Sequence, residues 1–163
     1  MSKPRRADPG IYSQMRRHVL EMRLTQPSPC AVHVVLMDWH VDRGTVTVAA
    51  AADGSASLYL SSGGGFIGGS EKVPALREAA LHAVTLATSL RSHFEPTASI
   101  TLPALGDVTF YVTTAEGVSR AVAPEARLRA GTDPLSVLGG AMQKIVTEYR
   151  LHFPNPTVRQ SVH

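Results

Sequence analysis

From Ile11 to Met22 the apolar positions fall at helical spacing. Ile11, Met15, Val19 and Met22 make a stripe, backed by Tyr12 and Leu20, while Arg16, Arg17, Glu21 and Arg23 lie largely elsewhere. Asp8 suits the capping position and Pro9 the first helical one, and Gln26-Pro27-Ser28-Pro29 stops the element. The pattern predicts a helix over residues 8–24. Beyond it the period shortens. Ala31 to Trp39 is apolar almost throughout apart from His33, as in a central strand covered on both faces. Gly44 to Ala52 and Ser55 to Ser61 alternate in the manner of half-buried strands. Asp53-Gly54 between them is a hairpin signal of the type I′ kind, and His40 to Arg43 supply the other turn of a three-stranded meander.

Helical spacing returns from Val73 to Phe94, where Leu76, Ala80, Ala83, Ala87, Leu90 and Phe94 form an inner stripe whose alanines let a sheet approach closely. Ala98 to Leu102 is a candidate short strand cut by Pro103. Asp107 to Thr114 alternates as a strand, Ala115-Glu116-Gly117 turns it, and Val118 to Ala123 returns. Pro124 to Gly131 reads as a loop. Asp133 and Pro134 open a last helix whose inner face is Leu135, Leu138, Met142, Ile145 and Tyr149, ended by Phe153-Pro154.

Hairpin-linked strands and three one-sided helices imply an α+β fold. The expected arrangement is a single antiparallel sheet of five or six strands. The central helix lies alone on one face, and the N- and C-terminal helices lie side by side on the other. Residues 1–7 are expected to be a basic N-terminal tail, 8–153 one domain and 154–163 a mobile C-terminal tail.

This element order, across about residues 8–153, resembles the roadblock, longin and profilin-like group of domains. Those place a mainly antiparallel five-stranded sheet between terminal helices and a central helix. The chain departs from roadblock domains in having three strands, not two, before the central helix, and in the glycine-rich stretch that precedes that helix. The resemblance implies a dimerising platform that regulates small GTPases or holds complexes together. It carries over no functional residue.

The chain has 163 residues, 44% of them hydrophobic, enough for one domain with a core of its own. A single cysteine, Cys30, excludes an internal disulfide framework and a cysteine-based zinc cluster. No apolar run approaches the length of a transmembrane helix, and the basic start is not followed by a secretory-signal core, so a cytoplasmic location is expected. The formal charge is +3, but residues 1–23 alone carry +4. A basic arm can attract nucleic acid. No aromatic platform or nucleic-acid motif accompanies this one, so it reads as a solvated tail and a polar helix face.

Five features carry candidate chemistry. Ser61 to Ser70 holds Ser62, Gly63, Gly64, Gly65, Gly68, Gly69 and Ser70, and runs into a helix. Free glycine amides beside a helix N-terminus suit a phosphate or carboxylate. The spacing matches neither a P-loop nor a dinucleotide fingerprint, and a strand-to-helix connection needing positive φ explains the glycines equally. Phe66-Ile67 between them suits an exposed apolar plug for a partner. Asp38, His40 and Asp42 alternate along an extended segment and are potential metal ligands, but they are also ordinary at a strand end, and no metal is expected. His33 reads as a satisfied core histidine, and no His-x-x-x-His pair exists. Cys30 has no visible base, and no Gly-x-Ser-x-Gly elbow is present. Gly139-Gly140 interrupts the last helix at a cost of about 1 kcal/mol per glycine. Close backbone packing, against the first helix or a second subunit, is the expected compensation, with Arg16 and Arg17 on the neighbouring helix steering an acidic partner to the same face.

The reading favours a non-enzymatic interaction or regulatory module, a homodimeric platform with a protein partner such as a small GTPase and no cofactor. The alternative is a small-molecule or phosphate-binding domain using loop 61–70. An enzyme whose site is assembled from distant residues is a third class.

Overall fold

The computed structural model describes residues 9–24, 31–41 and 44–153. The expected tails, the cap at Asp8, Cys30 and Asp42 lie outside them. The order is α1 (Pro9–Glu21), β1 (Val34–Val41), β2 (Gly44–Ala51), β3 (Ala56–Leu60), β4 (Gly65–Ile67), α2 (Pro74–Ser89), a 3-10 turn at Arg91–His93, β5 (Glu95–Pro96), β6 (Asp107–Thr114), β7 (Gly117–Pro124), α3 (Glu125–Ala130) and α4 (Ser136–His152). The fold is α+β, with one open antiparallel sheet in the order β4-β3-β2-β1-β6-β7-β5.

Seven strands, against the five or six expected, arise because two short pieces pair at the sheet's rims. The glycine-rich stretch contributes β4, in register with β3 through Leu58↔Phe66. Glu95-Pro96 forms β5 on β7, while Ala98 to Leu102 crosses the sheet as an irregular segment. Pro124 to Gly131, expected as a loop, contains α3, closed by Gly131 at φ 75. The β2–β3 turn also differs from expectation. Ala51 and Ser55 pair across Ala52-Asp53-Gly54, and Gly54 alone of the three has positive φ, which excludes type I′. The Asp53 carboxylate instead accepts from the Ser55 N–H at 2.9 Å, an Asx turn that favours the three-residue loop.

The helices are distributed differently from the expectation. α2 and α4 pack against each other on one face, over Val35, Met37, Val48, Leu58, Phe110 and Val112, and α1 lies on the other. Sheet width explains this. Seven strands about 4.8 Å apart span roughly 29 Å, whereas a helix about 10 Å wide covers two. The alanine stripe of α2 (Ala79, Ala80, Ala83, Ala87) keeps that helix slim enough for α4 to lie alongside. Four strands precede α2, so the departure from the roadblock pattern is wider than the sequence suggests.

The face with one helix is completed by a polar network. Asp38, fully buried in β1, receives Nε–H and Nη2–H of Arg16 at 3.2 and 2.5 Å and the Thr47 hydroxyl at 2.5 Å. The Tyr12 hydroxyl donates in turn to Thr47. Arg16 also donates to the Ile100 carbonyl at 2.7 Å, and the Tyr111 hydroxyl donates to the Thr101 carbonyl at 2.5 Å. One guanidinium thus fastens α1 and the 97–106 segment to the sheet. Burial pushes the Asp38 carboxyl up while Arg16 and Thr47 pull against it. Burial and the Asp38 charge push the Tyr12 phenol up to about 12. His33 is buried, and its Nδ1 accepts the Leu24 N–H at 2.7 Å, as expected of a satisfied core histidine.

Removing one member of the buried pair strands the other. Arg16→Met and Asp38→Asn are each expected to cost about 3–5 kcal/mol, and Arg16→Met/Asp38→Leu to recover much of that loss, read from urea midpoints. Double-variant stability no better than the worse single variant would contradict this account. A second expectation concerns pH. Burial holds the His33 imidazole below its ordinary 6.5, so the unfolded chain binds the proton more readily. This contribution is complete above pH about 6.5 and is lost as pH falls below it. His33→Asn should flatten the stability profile between neutral and mildly acidic pH.

Candidate functional site

The glycine-rich stretch is a strap. Three of its amides already have acceptors: Gly63 N–H on the Leu60 carbonyl at 3.0 Å, Gly68 N–H on the Ala56 carbonyl at 2.9 Å, and Gly69 N–H on the Glu71 carboxylate at 3.2 Å. The chain's own carboxylate therefore sits where an external anion was expected. Gly65 is required by geometry, because at φ 146 a Cβ would lie 2.1 Å from the Leu58 carbonyl oxygen. Ser62 is exposed and Ser70 buried. Phe66 stacks on Tyr149 with ring centroids 4.9 Å apart and touches Phe153, while the Tyr149 hydroxyl donates to the Gly68 carbonyl at 2.8 Å. Burial pushes the Tyr149 phenol up. The strap is thereby fixed to the C-terminal half of α4. Of the expected plug, Ile67 is 73% exposed and Phe66 is tucked in.

The other sequence candidates are separated by the fold. Arg16 is buried against Asp38, and α1 and α4 lie on opposite faces, so Arg16 and Arg17 do not share a surface with Gly139 and Gly140. Asp38 is spent on Arg16, and His40 Nε2–H donates to the Pro103 carbonyl at 2.7 Å. Among the described residues no group of three His, Cys, Asp or Glu is placed to hold a metal.

Within the chain, Gly139 and Gly140 do not serve close packing. A Cβ on Gly139 would make ordinary contact, 3.8 Å from Phe110, and one on Gly140 would meet nothing within 4 Å. Both glycines instead line a groove of about 590 Å³ between α4, α3 and the sheet. Its floor is Met37, Trp39 and Val41 of β1, Val46 of β2, and Leu58 and Leu60 of β3, with Phe66 and Phe153 at the strap end. The α4 wall is Gly139, Gly140, Gln143, Val146 and Arg150, and α3 adds Glu125, Leu128 and Arg129. Such a volume, apolar with few polar groups, lies in the range of ligand sites.

A second groove of about 750 Å³ runs beside α1 over β2 and β3, floored by Ala49, Ala51 and Ser57. Nothing in it requires a costly residue to stay open. Trp39 stands in the sequence between the more chemically suggestive Asp38 and His40. Strand alternation puts Trp39 on the opposite face with Met37 and Val41, an apolar strand end that α2 and α4 leave partly uncovered.

The chain matches no family model, no curated protein and no solved structure. No helix among the described residues is long and apolar enough to cross a membrane.

If the strap is structural, Gly65→Val should cost ~1–3 kcal/mol or more through the forced backbone, and inorganic phosphate should leave the parent's melting temperature unchanged. A phosphate-dependent rise in melting temperature would restore the anion-site reading.

Proposed function

We propose that this chain is a non-enzymatic binding module that holds an apolar ligand in the groove between α4 and the sheet. The observation that carries this reading is the Gly139-Gly140 pair. Two glycines inside a helix cost about 1 kcal/mol each relative to alanine, and neither is demanded by a neighbour within the chain. Side chains there would narrow the groove. The helix forgoes stability where doing so keeps the apolar floor accessible, as sites commonly trade stability for function. The reading keeps the non-enzymatic part of the sequence-based expectation. It moves the ligand site from loop 61–70 to the groove along α4, which that loop borders through Phe66.

The molecule carries its own reporter, since Trp39 on the groove floor is the chain's one tryptophan. Titration with decanol should give a saturable change in Trp39 emission in the parent protein. Gly140→Leu should abolish that response while keeping or raising the melting temperature, because leucine is the better helix former and its Cβ meets nothing within 4 Å. Gly140→Ala should stabilise by up to about 1 kcal/mol. A parent protein without a saturable response, or a Gly140→Leu protein that responds as the parent does, would defeat the proposal.

A further inference from the structure

We infer that the ligand of this groove is an amphipathic anion, an apolar chain whose carboxylate or phosphate head meets Arg150. The inference rests on the groove reading above and adds the chemistry of the ligand's polar end. Three charged side chains line the groove: Glu125, Arg129 and Arg150. Arg129 is taken, because its Nε–H and Nη2–H donate to Glu125 Oε2 at 3.2 and 2.7 Å one helical turn away. Arg150 makes no ion pair or side-chain hydrogen bond among the described residues. The groove therefore presents one uncompensated positive charge, at one end.

The placement of that charge fits an elongated ligand. Gly139 and Arg150 are eleven residues apart on the same wall of α4, about 16 Å along the helix axis. Between them the wall is Gln143 and Val146, and the facing floor is the apolar end of β1, β2 and β3. A chain lying along this length keeps its body on Trp39, Val46 and Leu60 and brings its head to Arg150, beside Phe153. Guanidinium pairs with carboxylate or phosphate through charge-assisted bonds, and these are stronger beside an apolar wall than in open water. A cation in the last turn of α4 also complements the helix dipole. That role bears on stability and not on discrimination between head groups, so the two are separable by experiment.

The test uses the full chain and three decyl probes, decanol, decanoate and decyl phosphate, each titrated against Trp39 emission at low ionic strength, about 0.01 M. Both anions are expected to bind about tenfold tighter than decanol. In Arg150→Gln that advantage should fall toward one while the decanol affinity stays unchanged. The tighter of the two anions then identifies the head group. Equal binding of anions and decanol by the parent would overturn the head-group assignment and leave the apolar groove standing. An anion preference that survives in Arg150→Gln would overturn the role of Arg150. No saturable response to any of the three would remove the groove reading and this inference with it.

Discussion

Arg16 and Asp38 meet where a single side chain can reach α1, the central strand and the segment that crosses from β5 to β6. A guanidinium with neither partner nor water would be costly in that position. The α1 face is therefore specified by polar geometry as well as by apolar area, and among the described residues of α1 the buried apolar anchors are Tyr12, Val19 and Leu20. The opposite face is held mainly by area, through two helices laid over the sheet, with hydrogen bonds such as Tyr149 to Gly68 and Arg77 to Asp53 at its margins. That difference leaves room at the margin of the two-helix face, where α4 parts from the strand ends and the groove opens.

The elements were largely legible in the sequence because each rests on a local period. The central strand, the paired meander, the long alanine-striped helix and the final helix lie where hydrophobic spacing puts them. What local spacing does not encode is which face a helix chooses. α2 and α4 each have one apolar stripe, and the choice between opposite faces and one shared face is settled by the width of a sheet whose two rim strands carry almost no strand signal. Gly65-Phe66-Ile67 reads as loop because glycines flank it, and it becomes a strand only because Leu58 lies across from Phe66.

The candidate site was legible in part. Gly139-Gly140 stands out in any reading as an unfavourable pair in a helix, but the reason for it depends on three-dimensional neighbours: Phe110 at a comfortable 3.8 Å from one position and open space at the other. Arg16 looked like a surface charge because its helical neighbours Arg17 and Glu21 are exposed. Its partner, Asp38, lies 22 residues away on a strand that is otherwise apolar except for His40. An acidic residue in such a strand, with an arginine on the inner side of a helix, is the pattern that would have revealed the pair.

The central strand has one neighbour close in sequence and one far away. β1 joins β2 through a tight hairpin, whereas its other edge pairs Val34 with Thr113 and Trp39 with Val108, across the whole of α2 and the loop after it. The sheet is thus two halves, one of β4, β3, β2 and β1 and the other of β6, β7 and β5, joined along the seam between β1 and β6. Each half can assemble from contacts between sequence neighbours, but the seam closes only after a long stretch of chain has been brought round. Loop closure of this kind is what slows the folding of sheet proteins relative to helical bundles. The strand at the centre of the finished sheet therefore depends for one of its two edges on a segment far along the chain.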